Sequence, residues 1–147
     1  KLFTGTDGRN RINISTGPLS DRRIRRALNH SINKEELIRY DLRGNGRPLA
    51  TMSMLGEPGH DPSLEPYAYD PVKARRLLKE AGYPDGLRLR VIIKYQTERS
   101  AKILAKQLAR SGIRLEVVKT PDSTLAQDIH NGRLVFTFGG CPDPLAH

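Results

Sequence analysis

Tryptophan is missing, cysteine occurs once, and aromatic residues make up only 5% of the 147 residues. A lone Cys141 excludes an internal disulfide and any cysteine-rich zinc site. The four histidines, His30, His60, His130 and His147, are too scattered to supply the convergent ligands that a metal needs. No apolar run approaches the roughly 20 residues of a membrane-spanning helix. The phosphate-cradling patterns G-x-x-x-x-G-K-S/T and G-x-G-x-x-G are absent, and Gly44-Asn45-Gly46 follows a helical segment rather than a strand. H-E-x-x-H, C-x-x-C, EF-hand and G-x-S-x-G spacings are absent as well. Cys141 stands near Asp143 and His147, but an adjacent acid raises a thiol pKa, so it reads as an inert thiol. No catalytic residue, metal or cofactor is expected, and the chain is not expected to be an enzyme.

Positive charge is abundant. Lys and Arg number 25 against 16 Asp and Glu, for a formal net charge of +9. The mean hydropathy is −0.55 and the sequence pI is about 10.1. Such a balance raises the question of nucleic acid or anionic surfaces. Only Arg22, Arg23, Arg25 and Arg26 cluster, and no aromatic residues interleave with them as a stacking platform requires. The cluster reads as a solvated basic helix face, and nucleic acid is not an expected partner. The length suits one domain, burying roughly 70% of the unfolded chain's surface. The chain begins at Lys1 without a leader pattern, so it is expected to be a processed form or an excised piece.

Residues 1–10 are expected to be a frayed or truncated end. Residues 11–15, RINIS, alternate as a short strand before Gly17-Pro18 breaks it. Ser20 is placed to cap a helix from about Asp21, with Ile24, Ala27 and Leu28 on one face. Asn33 and Glu36 have capping-box spacing for a second helix, whose buried side would be Leu37 and Ile38, ended by Gly44 and Gly46. Residues 43–69 form the longest irregular stretch, which predicts a cleft-lining loop or a strap over the core. Asp70-Pro71 starts a third helix, with Val72, Leu77, Leu78 and Ala81 on its buried face and Gly82 as its stop. Pro84-Asp85-Gly86 is a turn.

LRLRVIIKY over 87–95 reads as a strand. Ala101, Leu104, Ala105 and Leu108 mark a helix over 98–111 that Gly112 closes. IRLEVVK over 113–119 is a strand, Thr120-Pro121 opens a short helix through Ile129, and LVFTF over 134–138 is the last strand. This alternation predicts an α/β fold: a mixed, partly parallel sheet flanked by helices, in a single domain over 1–147.

Two segments go beyond that pattern. From Ser20 to Ile38 the chain reads SDRRIRRALNHSINKEELI, and from Gly59 to Leu89 it reads GHDPSLEPYAYDPVKARRLLKEAGYPDGLRL. Together they resemble the extracytoplasmic solute-binding proteins, family 5, of peptide, oligopeptide and nickel ABC transporters. The second segment follows the family's Y-D-P-x-x-A-x-x-L-L-x-E-A-G-Y-P-x-G through Tyr69, Asp70, Pro71, Ala74, Leu77, Leu78, Glu80, Ala81, Gly82, Tyr83, Pro84 and Gly86. QLARSGIRLEVV is similar to the family's helix-to-strand step, so the resemblance covers about residues 12–143.

The resemblance implies a periplasmic-binding-protein-like lobe, most of the second lobe of a two-lobed receptor that closes on a peptide or similar small solute. It implies a missing first lobe, a membrane permease as partner, and a periplasmic or extracellular location with lipoprotein anchoring as one form of it. In peptide-binding members a strand ends in G-W-x-x-D, and that Asp receives the peptide's ammonium group. Gly139-Gly140-Cys141-Pro142-Asp143 stands in that place, with Gly140 where the Trp would be. The resemblance thus names Asp143 as ammonium acceptor, with Gly140, Cys141, Phe138 and Arg133 around it, and Arg133 as a group able to meet a ligand carboxylate. The other reading of Asp143 is a turn former in Cys-Pro-Asp-Pro. An alternative for the whole chain is the solute-sensing domain of a transcription regulator, and a third is a degenerate lobe that serves only as an interaction surface.

Overall fold

The computed structural model describes residues 2–4, 6–7, 11–12, 17–48, 50, 60–94, 98–121, 124, 127 and 136–138. Its strands are β1 (Leu2–Thr4), β2 (Thr6–Asp7), β3 (Arg11–Ile12), β4 (Leu87–Lys94), β5 (Ile113–Thr120) and β6 (Phe136–Phe138). Its α-helices are α1 (Arg22–Ser31), α2 (Lys34–Tyr40), α3 (Pro71–Glu80) and α4 (Glu98–Arg110). The main sheet has the order β1-β6-β4-β5, and β2 pairs with β3 in a small separate ribbon. β4 runs parallel to both β5 and β6, while β1 is antiparallel to β6, so the expected mixed, partly parallel sheet is present.

Helices α1, α3 and α4 pack on one face of this sheet. Leu87, Leu89, Val91 and Ile93 alternate along β4 and join Ile113 of β5 in one buried cluster. Ile24, Ala27 and Leu28 of α1, Ala74, Leu77 and Leu78 of α3, and Ala101 and Leu108 of α4 complete it. Burying each large aliphatic side chain contributes about 1.5–3 kcal/mol. On the other face Arg88 and Arg90 of β4 and Arg114 and Glu116 of β5 are exposed.

Several starts and stops differ from the sequence expectation. Asp21, not Ser20, caps α1: its carboxylate accepts from the Arg23 N–H at 2.7 Å. Ser20 belongs to a preceding 3-10 turn over Pro18–Ser20 and donates to the Gly17 carbonyl at 2.7 Å. Asn33 caps α2 by accepting from the Glu36 N–H, yet Glu36 does not close the capping box. The Asn33 N–H goes instead to Oε1 of Gln107, whose amide in turn donates to Glu36. No residue of α2 is fully buried, and Leu37 and Ile38 are only half-buried. In α3, Ala74 takes the buried place and Val72 is 73% exposed, because the buried stripe Ala74, Leu77 and Leu78 follows the i, i+3, i+4 spacing and position 72 falls on the opposite side of the helix. The start itself is as expected, with the Asp70 carboxylate accepting from the Lys73 N–H at 2.8 Å.

The first ten residues, expected to fray, contain β1 and β2, and β1 is held in the main sheet by β6. Of the predicted strand over 11–15 only Arg11 and Ile12 are described, and of the predicted helix after Pro121 only positions 124 and 127, both helical.

Residues 60–70, the end of the long connection, are mostly exposed and are tied by hydrogen bonds to α1 and the start of α2. Asp70 N–H donates to the His30 carbonyl at 2.8 Å, Lys34 Nζ donates to the Tyr67 carbonyl at 2.8 Å, and His30 Nδ1 lies 2.9 Å from the Ala68 carbonyl. A carbonyl only accepts, so Nδ1 carries the imidazole proton. Nε2 of His30 is buried without a hydrogen-bond partner, beside the Tyr67 ring packed edge-on at 5.1 Å. His30, one of the scattered histidines of the sequence, is a structural pin.

Candidate functional site

In open α/β sheets, ligands bind outside the carboxyl ends of the strands, where the strand order reverses. This sheet has one such place among its described strands. The chain leaves β4 to one side, through α4 to β5, and then returns past β4 to β6 on the other side. The carboxyl ends of β4 and β6 therefore flank the reversal. Thr137 and Phe138 of β6 are in register with Ile92 and Ile93 of β4, and Leu2 of β1 is opposite Phe138.

Phe138 is the last residue of β6 and stands at that edge. Gly140, Cys141 and Asp143 follow it in the sequence. They and Arg133 lie outside the described residues, and of Phe138 the backbone alone is described. The structure thus locates the strand from which the predicted site residues follow, at the edge where the fold favours a ligand.

Charged side chains from α2, α4 and β5 gather at the same edge. Glu98 opens α4 and accepts from Lys102 Nζ at 3.0 Å and from Lys119 Nζ, near the end of β5, at 2.7 Å. These hydrogen bonds, Lys119's first and Lys102's second, hold the Glu98 carboxyl below the ordinary value of 4.5. Next to it, Ser100 donates to Asp41, and Arg99 lies 3.8 Å from the same carboxylate while donating to the Tyr40 carbonyl. The first turn of α4 is thereby tied to β5 on one side and to the end of α2 on the other. The Glu98–Lys102 spacing was legible as an i,i+4 pair. Lys119 was not, because its place depends on how β5 registers with β4.

A second concavity, a groove of about 480 Å³, runs between the end of the long connection and the start of α2, lined by Ile32, Lys34, Pro48, Tyr67 and Tyr69 among others. Burial there pushes the Lys34 ammonium below its ordinary value. Among the described residues no group of His, Cys, Asp and Glu could hold a metal ion. Among them, too, no helix is long and apolar enough to cross a membrane.

The profile of the Bacterial extracellular solute-binding proteins, family 5 Middle, matches residues 8–143. The glutathione-binding protein GsiB of Escherichia coli K12 is 36% identical over 109 residues, 72% of this chain. GsiB of Salmonella choleraesuis is 35% identical over the same length. The chain spans only 21% of the length of these curated relatives. Among solved structures, the periplasmic binding protein DppA of Helicobacter pylori, in complex with the peptide STSA, superposes with a TM-score of 0.84. That match covers 99% of this chain and 28% of DppA at 22% identity, a likeness of fold. NikA of Brucella suis, in complex with Fe(III)-EDTA, superposes with a TM-score of 0.76 at 25% identity, over 97% of this chain and 31% of NikA.

Proposed function

Because this chain belongs to the bacterial extracellular solute-binding proteins of family 5, we propose that it is most of one lobe of a two-lobed receptor that delivers a peptide or similar small solute to an ABC-type importer. The observation that carries the reading is the sheet edge: β6 ends at Phe138, level with Ile93 of β4, at the reversal in strand order. The chain then supplies Gly140, Cys141 and Asp143 within five residues of Phe138.

The function is binding without catalysis. Asp143 accepts a hydrogen bond from the ammonium group of the solute, and closure of the first lobe removes water from that charge-assisted bond and strengthens it. Gly140 has no side chain where the peptide-binding members that the chain resembles carry a Trp, so the main-chain end of the solute is gripped more than its first side chain. Arg133 is the candidate for a solute carboxylate. The missing first lobe lies in the same parent chain, the importer's permease is the membrane partner, and the site of action is outside the cytoplasm, with lipid anchoring as the means of retention. One lobe alone buries too little of a solute to hold it tightly. The comparisons give no support to the transcription-regulator alternative.

The test uses the complete receptor. Calorimetry compares a free-amine peptide with its N-acetylated form, before and after Asp143→Ala. The substitution is expected to weaken the free-amine peptide about tenfold or more, the worth of a charge-assisted bond, and to leave the acetylated one nearly unchanged. Equal losses for both peptides remove Asp143 from the ammonium role.

A further inference from the structure

The opposite, amino edge of the sheet carries an arrangement that solute binding does not use. Arg88 of β4 and Arg114 of β5 are direct partners in the parallel register. In-register neighbours on adjacent strands are about 4.8 Å apart and point to the same side. Both arginines are exposed and both line a hollow of about 160 Å³ with Asp85, Gly86, Leu87 and Gly112. Like charges placed directly across a sheet are destabilising.

Some cations elsewhere in the protein have a carboxylate partner. Arg23 is bound to Asp21, Arg76 to Glu80, Arg99 to Asp41, Arg110 to Glu36, and Lys102 and Lys119 to Glu98. No carboxylate among the described residues lies within ion-pair distance of Arg88 or Arg114, not even that of Asp85 beside them. Three of the backbone donors around the hollow are spent as well. Gly86 N–H goes to the Tyr83 carbonyl, Leu87 N–H to the Gly112 carbonyl, and Gly112 N–H to the Ala109 carbonyl. What the hollow offers a ligand is therefore two guanidinium forks and one carboxylate.

We propose that Arg88 and Arg114 form an anion site for a phosphate-type oxyanion at the amino edge of the sheet. Two planar forks side by side match an ion with several oxygens, and a dianion neutralises both charges at once. The ion comes either free in solution or as a lipid headgroup. Asp85 opposes the ion's approach and weakens the site, while the excess of two guanidinium charges over one carboxylate makes the attraction grow with the charge of the anion.

The experiment titrates the 147-residue chain with inorganic phosphate at low ionic strength and follows backbone amide and arginine side-chain resonances. In parallel it measures binding to phosphatidic acid vesicles, whose headgroup is a phosphomonoester, against phosphatidylcholine vesicles. The double variant Arg88→Gln/Arg114→Gln is compared with Arg22→Gln/Arg26→Gln, which removes the same charge from α1. The expected result is a dissociation constant raised about tenfold or more in the first variant and less than about threefold in the second, with Asp85→Asn binding more tightly than the wild type. Loss of phosphate binding in the first variant identifies a free ion, and loss of vesicle binding with no phosphate binding in the wild type identifies a headgroup. Equal losses in the two double variants, resonance changes away from Gly86 and Gly112, or no binding in either arm overturn the proposal.

Discussion

At the amino edge of the sheet β4 and β5 begin against one another's backbone, and at the carboxyl edge the same strands end among side chains. Gly86 has φ +97°, and a Cβ placed on it would lie 2.3 Å from the Gly112 carbonyl oxygen. Leu87 N–H bonds that same carbonyl at 3.0 Å, which fixes where the two strands start. At the other end, Glu98, Lys119, Ser100 and Asp41 hold α4 through exposed or half-buried polar contacts. The lesson is that backbone geometry sets the register at one edge, while salt-sensitive charge pairs shape the surroundings of the proposed solute site at the other. A receptor that must admit and release a solute gains from keeping its softer contacts on the ligand side.

If that division is right, the largest single loss comes from the amino edge. Gly86→Ala combines a left-handed backbone with a clash against main chain that cannot rotate away. It is expected to cost about 3–5 kcal/mol, read as a lower midpoint in urea denaturation. Gly82→Ala is the control. Gly82 also has a left-handed φ of +92°, but nothing lies within 4 Å of its Cβ position, so only the conformational cost of about 1–2 kcal/mol applies. Equal costs for the two variants would mean that the approach of Gly86 to Gly112 does not set the register.

A middle-sized effect tests whether one side chain can act like backbone. Gln107 is 1% exposed on α4. Its amide accepts from the Asn33 N–H at 3.1 Å and donates to the Asn33 carbonyl at 3.2 Å, replacing the strand-like pairing that the α1–α2 junction lacks. It also donates to Glu36 at 2.8 Å. Gln107→Leu keeps most of the volume and leaves these groups without partners. The expected cost is about 2–3 kcal/mol, since a half-buried polar group loses its bond and is not rehydrated. A loss below that of Gly82→Ala would show that water reaches the junction and that Gln107 is dispensable.

These same elements show what the amino-acid sequence discloses. α3 was legible at both ends because its signals are local: Asp70 caps it, Pro71 suits its first position and Gly82 ends it. The order of β4, α4 and β5 was legible from apolar periodicity, and the glycines between them mark the turns. Three features were not. β1 pairs with β6 from the opposite end of the chain, and no local pattern in Leu2–Thr4 announces a partner that distant. Gln107 takes the bond that the capping-box spacing assigned to Glu36, because a tertiary neighbour outcompetes a local one. Lys119 reaches Glu98 only through the register of the two strands. The candidate site divides in the same way: Asp143, Gly140, Cys141 and Arg133 came from resemblance and lie outside the described residues, and the fold contributes the edge at which β6 ends.

The smallest expected effect lies at the carboxyl edge and depends on pH. Glu98 is held below its ordinary value of 4.5 by Lys119 and Lys102. A carboxyl whose folded pKa lies below its unfolded one stabilises the fold above the unfolded value and loses that contribution as pH falls through the folded one. The Glu98 contribution is therefore complete above about pH 5 and fades through the region below 4.5. Glu98→Gln should flatten that part of the stability profile and change little at pH 7 in high salt, because the pairs are exposed and screened. The informative reading is the comparison with Gly86→Ala across salt concentrations. Salt should erase the difference between Glu98→Gln and the wild type, and it should leave the Gly86→Ala deficit untouched. A Glu98→Gln deficit that persists at high salt would mean that this edge, too, is fixed by packing rather than by charge.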